Sequence, residues 1–139
     1  MRISKIIKSK WINASIILKR LAKVYLRIVY SCDIPIGLKI GNNVYFAHNA
    51  LGVVIHRGVI IKDNVKIFQN VTIGTNLGED DEMLAPVIGN NVIICAGAKI
   101  IGHIEIGDNV IIGAGAVVLK NVDSDVIVAG NPAKVIKKR

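Results

Sequence analysis

The stretch IGNNVIICAGAKIIGHIEIGDNVIIGAGAVV, residues 88–118, carries a β-branched aliphatic residue at every sixth position. A period of six matches neither the 3.6-residue turn of an α-helix nor the two-residue alternation of a long strand. It is typical of short strands separated by turns, with one aliphatic side chain of each strand pointing inward. The members of the series are Ile88, Ile94, Ile100, Ile106, Ile112 and Val118.

The same period runs through the preceding part of the chain, where its members are Ile55, Ile61, Ile67 and Ile73. The turns between the aliphatic positions are rich in Gly, Asn and Asp, which adopt a positive φ at low cost. Two similar turns, IGNN at 88–91 and IGDN at 106–109, lie three repeats apart. Three repeats per coil predict a triangular coil with three flat faces, and stacked coils form an all-β, parallel β-helix.

The six-residue count is interrupted twice, and both interruptions predict loops that bulge from the coil. The first lies between Phe46 and Ile55 and contains His48. The second contains the acidic segment GTNLGEDDEMLAP at residues 74–86. Because loops on a rigid scaffold tend to carry function, these are the two places where we expect a site.

The positive charge is confined to the N-terminal segment. Residues 1–30 hold eight Lys or Arg and no acid, whereas the remaining residues hold ten basic and ten acidic side chains. The main body therefore carries no signal for nucleic-acid binding. No uncharged run approaches the ~20 apolar residues of a membrane-spanning helix, and no signal peptide is evident, so we expect a cytoplasmic protein.

The division of the chain follows from these patterns. On a helical wheel of residues 1–30, one arc is basic and the opposite arc holds Ile17, Leu21, Val24 and Ile28. We predict a basic amphipathic helical segment over 1–30 and a β-helix domain with a C-terminal cap over 31–139. Two interpretations of the helix stay open: its apolar stripe packs on the coil end or on another subunit, or it contacts an anionic membrane surface.

The first coil carries a spacing of two residues with acid–base chemistry. In DIPIGLKIGNNVYFAH, residues 33–48, Asp33 precedes His48 by fifteen positions. This line resembles the serine acetyltransferase stretch in which an Asp precedes the catalytic His by the same spacing. The later coils also match that family, in VTIG at 71–74, AGAKIIG at 96–102, IGAGAVVLK at 112–120 and AGNPAKVI at 129–136.

Over roughly residues 31–136 the sequence thus resembles the hexapeptide-repeat acyltransferases. Within them it is similar to serine acetyltransferases and to the O-acetyltransferases of capsule and colanic acid synthesis. The resemblance implies a left-handed β-helix and a homotrimer with sites between subunits. It also implies acetyl-CoA as co-substrate, in contact with Gly74, Thr75, Ala96, Ala114 and Lys134.

The resemblance makes His48 the general base and Asp33 its supporting carboxylate. A His with a pKa near neutrality can take the proton of an attacking hydroxyl, which contributes about 10²–10⁴ in rate. A carboxylate behind it fixes the tautomer and stabilises the imidazolium. The alternatives are that His48 is a solvated corner residue and that Asp33 caps a turn.

The remaining candidate groups have simpler interpretations. His56 either lines the cleft or occupies a corner, and His103 is expected at a turn. Because His48 and His103 do not fall on equivalent coil positions, we predict no metal site. Cys32 and Cys95 are too few for a disulfide framework, and we expect them to be small buried residues.

The expected acceptor depends on the end of the second loop. Serine acetyltransferases carry an Arg–His pair before the Pro there, and this chain has Leu84 and Ala85 before Pro86. An amino-acid carboxylate needs a cationic partner, which Leu cannot supply. The acidic side chains of the loop accept hydrogen bonds from sugar hydroxyls instead; they are Glu79, Asp80, Asp81 and Glu82.

The sequence therefore predicts an O-acetyltransferase that acts on a sugar of a cell-surface polysaccharide, with L-serine a poor substrate. The first alternative is serine O-acetyltransferase, with another cation such as Arg57 holding the carboxylate. The second alternative is a catalytically inactive β-helix scaffold.

Overall fold

A computed structural model describes residues 3–76 and 82–139. In this part of the chain, three helices precede the coils: α1 spans Ile3–Ile7, α2 spans Lys10–Ala14 and α3 spans Ile16–Tyr30. The predicted helical segment is thus divided at Ser9 and Ser15. Each Ser side chain accepts a hydrogen bond from the backbone N–H three residues later, so each ends one helix and caps the next.

The coils consist of short strands, most of them two residues long. Two short turns, Ala47–Ala50 and Glu82–Leu84, lie in the interruptions predicted from the repeat count. The strands are β1 Lys39–Ile40, β2 Tyr45–Phe46, β3 Val54–Ile55, β4 Ile60–Ile61, β5 Lys66–Ile67, β6 Thr72–Gly74, β7 Val87–Ile88, β8 Ile93–Ile94, β9 Lys99–Ile101, β10 Glu105–Ile106, β11 Ile111–Ile112, β12 Val117–Val118, β13 Val126–Ala129 and β14 Lys134–Lys138.

The strands form three sheets, one for each face of the triangular coil. Their orders are β1-β4-β7-β10, β2-β5-β8-β11-β13-β14 and β3-β6-β9-β12. All pairs are parallel except β13 with β14, where the chain folds back and covers the last coil. The predicted left-handed parallel β-helix with a short N-terminal helical segment is confirmed.

The register explains the period of six. Ile61 pairs with Ile88, Ile67 with Ile94, and Ile73 with Ile100, so residues of the series stack on one another. Every member of the series is at most 3% exposed. The residues that the structure describes include no buried polar or charged residue, so the core is a column of aliphatic side chains.

Hydrogen-bonded Asn side chains run along one edge of the triangular β-helix, which is called the prism below. Asn43, Asn64, Asn91 and Asn109 all adopt left-handed backbone, with φ between 54° and 59°. Their side chains bond along the prism axis, as Asn91 Nδ2 donates to Asn109 Oδ1 at 3.1 Å and Asn109 Nδ2 donates to Asp125 Oδ1 at 2.9 Å. Asn suits these turns because it tolerates this backbone region and supplies both a donor and an acceptor.

The N-terminal helices cover the first coil through a face that the wheel did not predict. The helix α1 buries Ile3, Ile6 and Ile7, whereas α3 buries only Leu26. The apolar stripe of α3 is 53–75% exposed along Ile17, Leu21, Val24 and Ile28, so its predicted packing on the coil end is wrong.

An ion pair is consistent with this orientation of α3, in which Leu26 packs on the core. Arg27 and Lys23, on the basic arc, reach Asp33 of the first coil, so this arc lies toward the coil and the apolar stripe faces away. A search of the described residues finds no helix that is both long and apolar enough to span a membrane.

Candidate active site

His48 lies on the turn Ala47–Ala50, at the corner between β2 and β3. His48, Asn49 and Ala50 have φ of 49°, 53° and 57°, a left-handed run that Asn and His tolerate better than most residues and that is strained at Ala50. Ala47 and Ala50 are buried and anchor the turn, while the His48 side chain is exposed. The bulge thus presents the imidazole to a pocket of 260 Å³ that Tyr45, Phe46 and Asn49 also line.

The side chain of Asp33 contacts two cationic side chains of α3 and not His48. Its backbone pairs with β3, because Asp33 N–H donates to Val53 O at 2.9 Å and Ile55 N–H donates to Asp33 O at 3.0 Å. Its carboxylate accepts a hydrogen bond from Arg27 Nη2, and Lys23 Nζ lies 3.9 Å from Oδ1.

The expected Asp33–His48 pair is therefore absent from the single chain. Within residues 3–76 and 82–139, no hydrogen bond joins Asp33 to His48, and the two line separate pockets. Two cations on α3 hold the carboxylate more strongly than a neutral imidazole would. A pairing across subunits stays a prediction.

Asp33 lines a cleft of 420 Å³ together with two of the residues expected to contact the cofactor, Gly74 and Thr75. His56 and Arg57 also line this cleft. A side chain on Gly74 would meet nothing within 4 Å, so its backbone is open to a ligand. The structure thus brings the predicted carboxylate and part of the predicted cofactor site together.

His56 occupies this cleft in a defined orientation. Its Nδ1 accepts a hydrogen bond from the Gly58 N–H at 3.2 Å, so in the neutral ring Nε2 carries the proton. Its backbone N–H donates to Ile73 O at 2.8 Å, which seats it beside Gly74. Of the two interpretations of His56, the structure supports the one in which it lines the cleft.

The other expected cofactor contacts follow the edge of the prism that begins at His48. Gly97 N–H donates to Gln69 O at 3.0 Å and Gly115 N–H donates to Ala96 O at 2.8 Å, so successive corners stack. Ala96 and Ala114 lie on these corners and leave a surface of small side chains. Such a surface fits an extended ligand, such as the arm of acetyl-CoA, that lies against the backbone. Lys134 is exposed at the start of β14, in the C-terminal cap.

Gln69, on the same edge, was not singled out by the sequence. Its Oε1 is buried and has no hydrogen-bond partner among the residues that the structure describes. Buried polar atoms are normally paired, so this atom is an exception among the described residues. The repeat gives no signal of it, because Gln69 occupies an ordinary turn position.

The cysteines have the environment of inert residues. Burial, with a smaller contribution from the Asp33 charge, raises the pKa of the Cys32 thiol to about 11, and burial also raises the pKa of Cys95. Both remain protonated at neutral pH and are poor nucleophiles. No group of three His, Cys, Asp or Glu side chains in the described ranges could hold a metal ion.

The second loop is described at both ends, over residues 74–76 and 82–86. Glu79, Asp80 and Asp81, expected to contact a sugar, lie outside the described residues. Glu82 forms an ion pair with Arg57, in which Nε lies 3.4 Å from Oε1. Leu84 is half-buried and Ala85 is buried, so neither brings a polar side chain to the cleft.

Comparisons with known proteins agree on one class. The family model described as bacterial transferase hexapeptide (six repeats) matches residues 85–120. A serine acetyltransferase of Buchnera aphidicola subsp. Schizaphis graminum is 47% identical over 110 residues, which cover 79% of this chain and 42% of that protein.

Two solved structures give the same result. Serine acetyltransferase from Brucella abortus strain S19 in complex with coenzyme A has a TM-score of 0.82 and 34% identity, covering 92% of this chain and 51% of that one. The soybean enzyme complexed with serine has a TM-score of 0.82 and 35% identity, covering 91% and 51%. The chain therefore spans about half the length of the relatives that it matches.

These similarities overturn the predicted acceptor. The relatives and structural neighbours are serine acetyltransferases, so the prediction of a polysaccharide O-acetyltransferase is wrong and its first alternative is favoured. The prediction had rested on Leu84 and Ala85 in place of an Arg–His pair and on the acidic side chains of the second loop. In repeat, fold and sequence the chain is similar to the hexapeptide-repeat acetyltransferases, the left-handed β-helix class that includes the serine acetyltransferases, which confirms the predicted resemblance.

Proposed function

We propose that this chain transfers the acetyl group of acetyl-CoA to the hydroxyl of L-serine. The observation that carries the proposal is the similarity to serine acetyltransferases over nine-tenths of the chain, which includes structures with coenzyme A and with serine. The exposed His48 supports it, because its turn includes strained left-handed backbone at Ala50, and such strain clusters at functional sites.

The reaction is a direct acyl transfer. The serine hydroxyl attacks the thioester carbonyl, and His48 takes the hydroxyl proton as the C–O bond forms. The C–S bond then breaks, and the proton held by His48 passes to the departing thiolate. Both cysteine thiols of the chain are protonated at neutral pH and are therefore poor nucleophiles. We propose no acyl-cysteine intermediate for this reason.

Acetyl-CoA is proposed to lie along the edge that carries Ala96 and Ala114, with its reactive end toward the coil of His48. Gly74 and Thr75 contact it from the neighbouring cleft, and the Lys134 ammonium pairs with a phosphate. A carbonyl oxygen that becomes negative in the transition state needs N–H donors, which backbone groups at open corners can supply.

The active assembly is proposed to be a homotrimer with sites between subunits. Outward-facing aliphatic residues of the prism, such as Val54 and Ile60, are 45% and 37% exposed, so one chain leaves apolar faces uncovered. Closed cyclic symmetry would cover equivalent faces on every subunit. In that assembly, the carboxylate of Asp33 from one subunit is proposed to support His48 of another.

The exposed stripe of α3 is proposed to belong to the same interface. Contiguous exposed apolar patches of this kind mark contact surfaces. Because the coil end of its own chain does not cover the stripe, another subunit is the remaining partner within the protein. An anionic membrane surface is the competing partner.

The test is thioester consumption with separate acceptors. Release of free CoA from acetyl-CoA should depend on L-serine and saturate with it, and should not respond to a panel of neutral sugars. The His48→Asn variant is the matched control, since Asn tolerates left-handed backbone but cannot act as the base. Sugar-dependent release with no response to serine would refute the proposal.

A further inference from the structure

The cleft that contains Asp33 and His56 is also lined by two longer cationic side chains, Lys23 and Arg57. Lys23 lies 3.9 Å from the Asp33 carboxylate, which Arg27 also contacts. The Asp33 carboxylate therefore already has two cationic partners. Arg57 belongs to a different part of the cleft, near the end of the second loop.

Several contacts hold the coil corner of Arg57 against that loop end. Ile60 N–H donates to Pro86 O, which lies on the next coil, at 3.2 Å. At Gly58, a Cβ atom would collide with the backbone of Glu82, so the two segments are in close contact there. The Nε of Arg57 lies 3.4 Å from Glu82 Oε1. Arg57 thus stands beside the turn whose last residue is Leu84.

In the proposed trimer, Asp33 of this cleft supports His48 of another subunit, so an acceptor whose hydroxyl meets that base needs a cation here for its carboxylate. L-serine carries an α-carboxylate, and a guanidinium binds a carboxylate best because two parallel N–H groups match its two oxygens. Leu84 and Ala85 cannot do this. We propose that Arg57 binds the α-carboxylate of the amino-acid acceptor, an inference that rests on the proposed serine acetyltransferase function.

The ion pair with Glu82 is compatible with this role. The side chains of Arg57 and Glu82 are 55% and 59% exposed, and exposed pairs of this kind are weak. A guanidinium also carries four N–H donors on its two Nη atoms besides Nε. A substrate carboxylate can therefore exchange with the groups that the guanidinium holds in the absence of substrate, Glu82 among them.

A phosphate of acetyl-CoA is the other anion that this guanidinium could bind, since Gly74 and Thr75 line the same cleft. Steady-state kinetics of the full chain separate the two. In Arg57→Gln, KM for L-serine should rise on the order of tenfold to a hundredfold, the loss expected for one charged hydrogen-bonded contact, with KM for acetyl-CoA unchanged. Arg57→Lys should recover part of the loss. A rise in KM for acetyl-CoA alone would overturn the proposal.

Matched controls exclude a general effect of charge or folding. Lys66→Gln removes an exposed cation on another face and should leave both KM values unchanged. Glu82→Gln removes the competing carboxylate, so KM for L-serine should fall or stay constant. An increase as large as that in Arg57→Gln would show that the ion pair acts structurally and would contradict the proposal.

A neutral acceptor gives the sharpest comparison. Serinamide keeps the hydroxyl but lacks the carboxylate, so its turnover should be equal in wild type and Arg57→Gln; an equal loss with both acceptors would refute the role. If the wild type does not turn over serine at all, the proposed function fails, and calorimetric titration of L-serine in the presence of CoA decides the inference. Binding by wild type that Arg57→Gln lacks supports it, and no binding by wild type overturns it.

Discussion

Arg27 donates a hydrogen bond through Nη2 to Oδ2 of Asp33, and this contact fastens α3 to the first coil of the β-helix. The two residues lie on opposite sides of the helix end at Tyr30. Asp33 therefore has a structural partner within its own chain, in addition to the supporting role proposed for it across a subunit interface.

Replacing Asp33 by Asn should reveal which role dominates. The loss of the ion pair should lower the melting temperature slightly, because a half-exposed pair contributes only about 0.2–1 kcal/mol. If Asp33 also supports the base, kcat should fall with little change in KM for acetyl-CoA. Arg27→Gln is the matched variant, since it breaks the same ion pair and leaves the carboxylate. Equal losses of kcat in both variants would assign Asp33 a purely structural role.

Replacing His48 should reduce turnover without unfolding the protein. The side chain is exposed and contributes little packing, and a general base contributes about 10²–10⁴ in rate. Both His48→Ala and His48→Asn should lose at least ~10² in kcat, while their melting curves stay near that of wild type. Asn is the better probe because it accepts a positive φ. Near-normal kcat in His48→Asn would remove the base assignment.

The architecture was predictable because the six-residue period identifies which residue of each strand faces inward. The stacking of Ile67 on Ile94, for example, follows directly from counting in sixes and allowing for the inserted loop. The bulge at His48 was predictable for the same reason, as a departure from that count. The left-handed backbone at Ala50 was not predictable, since Ala has no preference for this conformation.

The side-chain partners were less predictable because a period carries no information about ion pairs. The wheel of α3 placed Arg27 on a basic arc, but nothing in the pattern indicated that this arc would meet Asp33. For the same reason the stripe containing Leu21 was expected to be covered and is exposed. The acceptor was inferred from Leu84, Ala85 and the acidic side chains of the loop, whereas a neighbouring coil brings Arg57 to the same loop end.

The assembly can be measured directly. Light scattering of the full chain should give a mass three times the 15.0 kDa of one chain. The double variant Leu21→Ser, Ile28→Ser should weaken the trimer, because both side chains belong to the exposed stripe. Arg20→Ser, an exposed change on the basic arc, is the control and should leave the mass unchanged.

The membrane alternative has a distinct outcome. An unchanged mass in the double variant, together with wild-type binding to anionic vesicles that weakens as salt is added, would assign the stripe to a lipid surface.

The thiols should be dispensable and slow to react. The Cys32 thiol is 3% exposed, contacts Leu26 O at 3.7 Å and has a pKa of about 11, so it stays protonated and protected at pH 8. A disulfide reagent should leave Cys32 unmodified in the native protein and modify both cysteines in denaturant. Cys95→Ala should keep wild-type kcat. Rapid loss of activity on modification of Cys32 would contradict direct transfer.

The central claim is that the acetyl group reaches the hydroxyl of serine. The most direct measurement supplies acetyl-CoA labelled with ¹³C in the acetyl group, together with L-serine, and identifies the products by mass spectrometry and NMR. We expect labelled O-acetylserine, formed in proportion to the CoA released and absent in His48→Asn. Labelled acetate alone, or label that appears only on a sugar offered in competition, would contradict it.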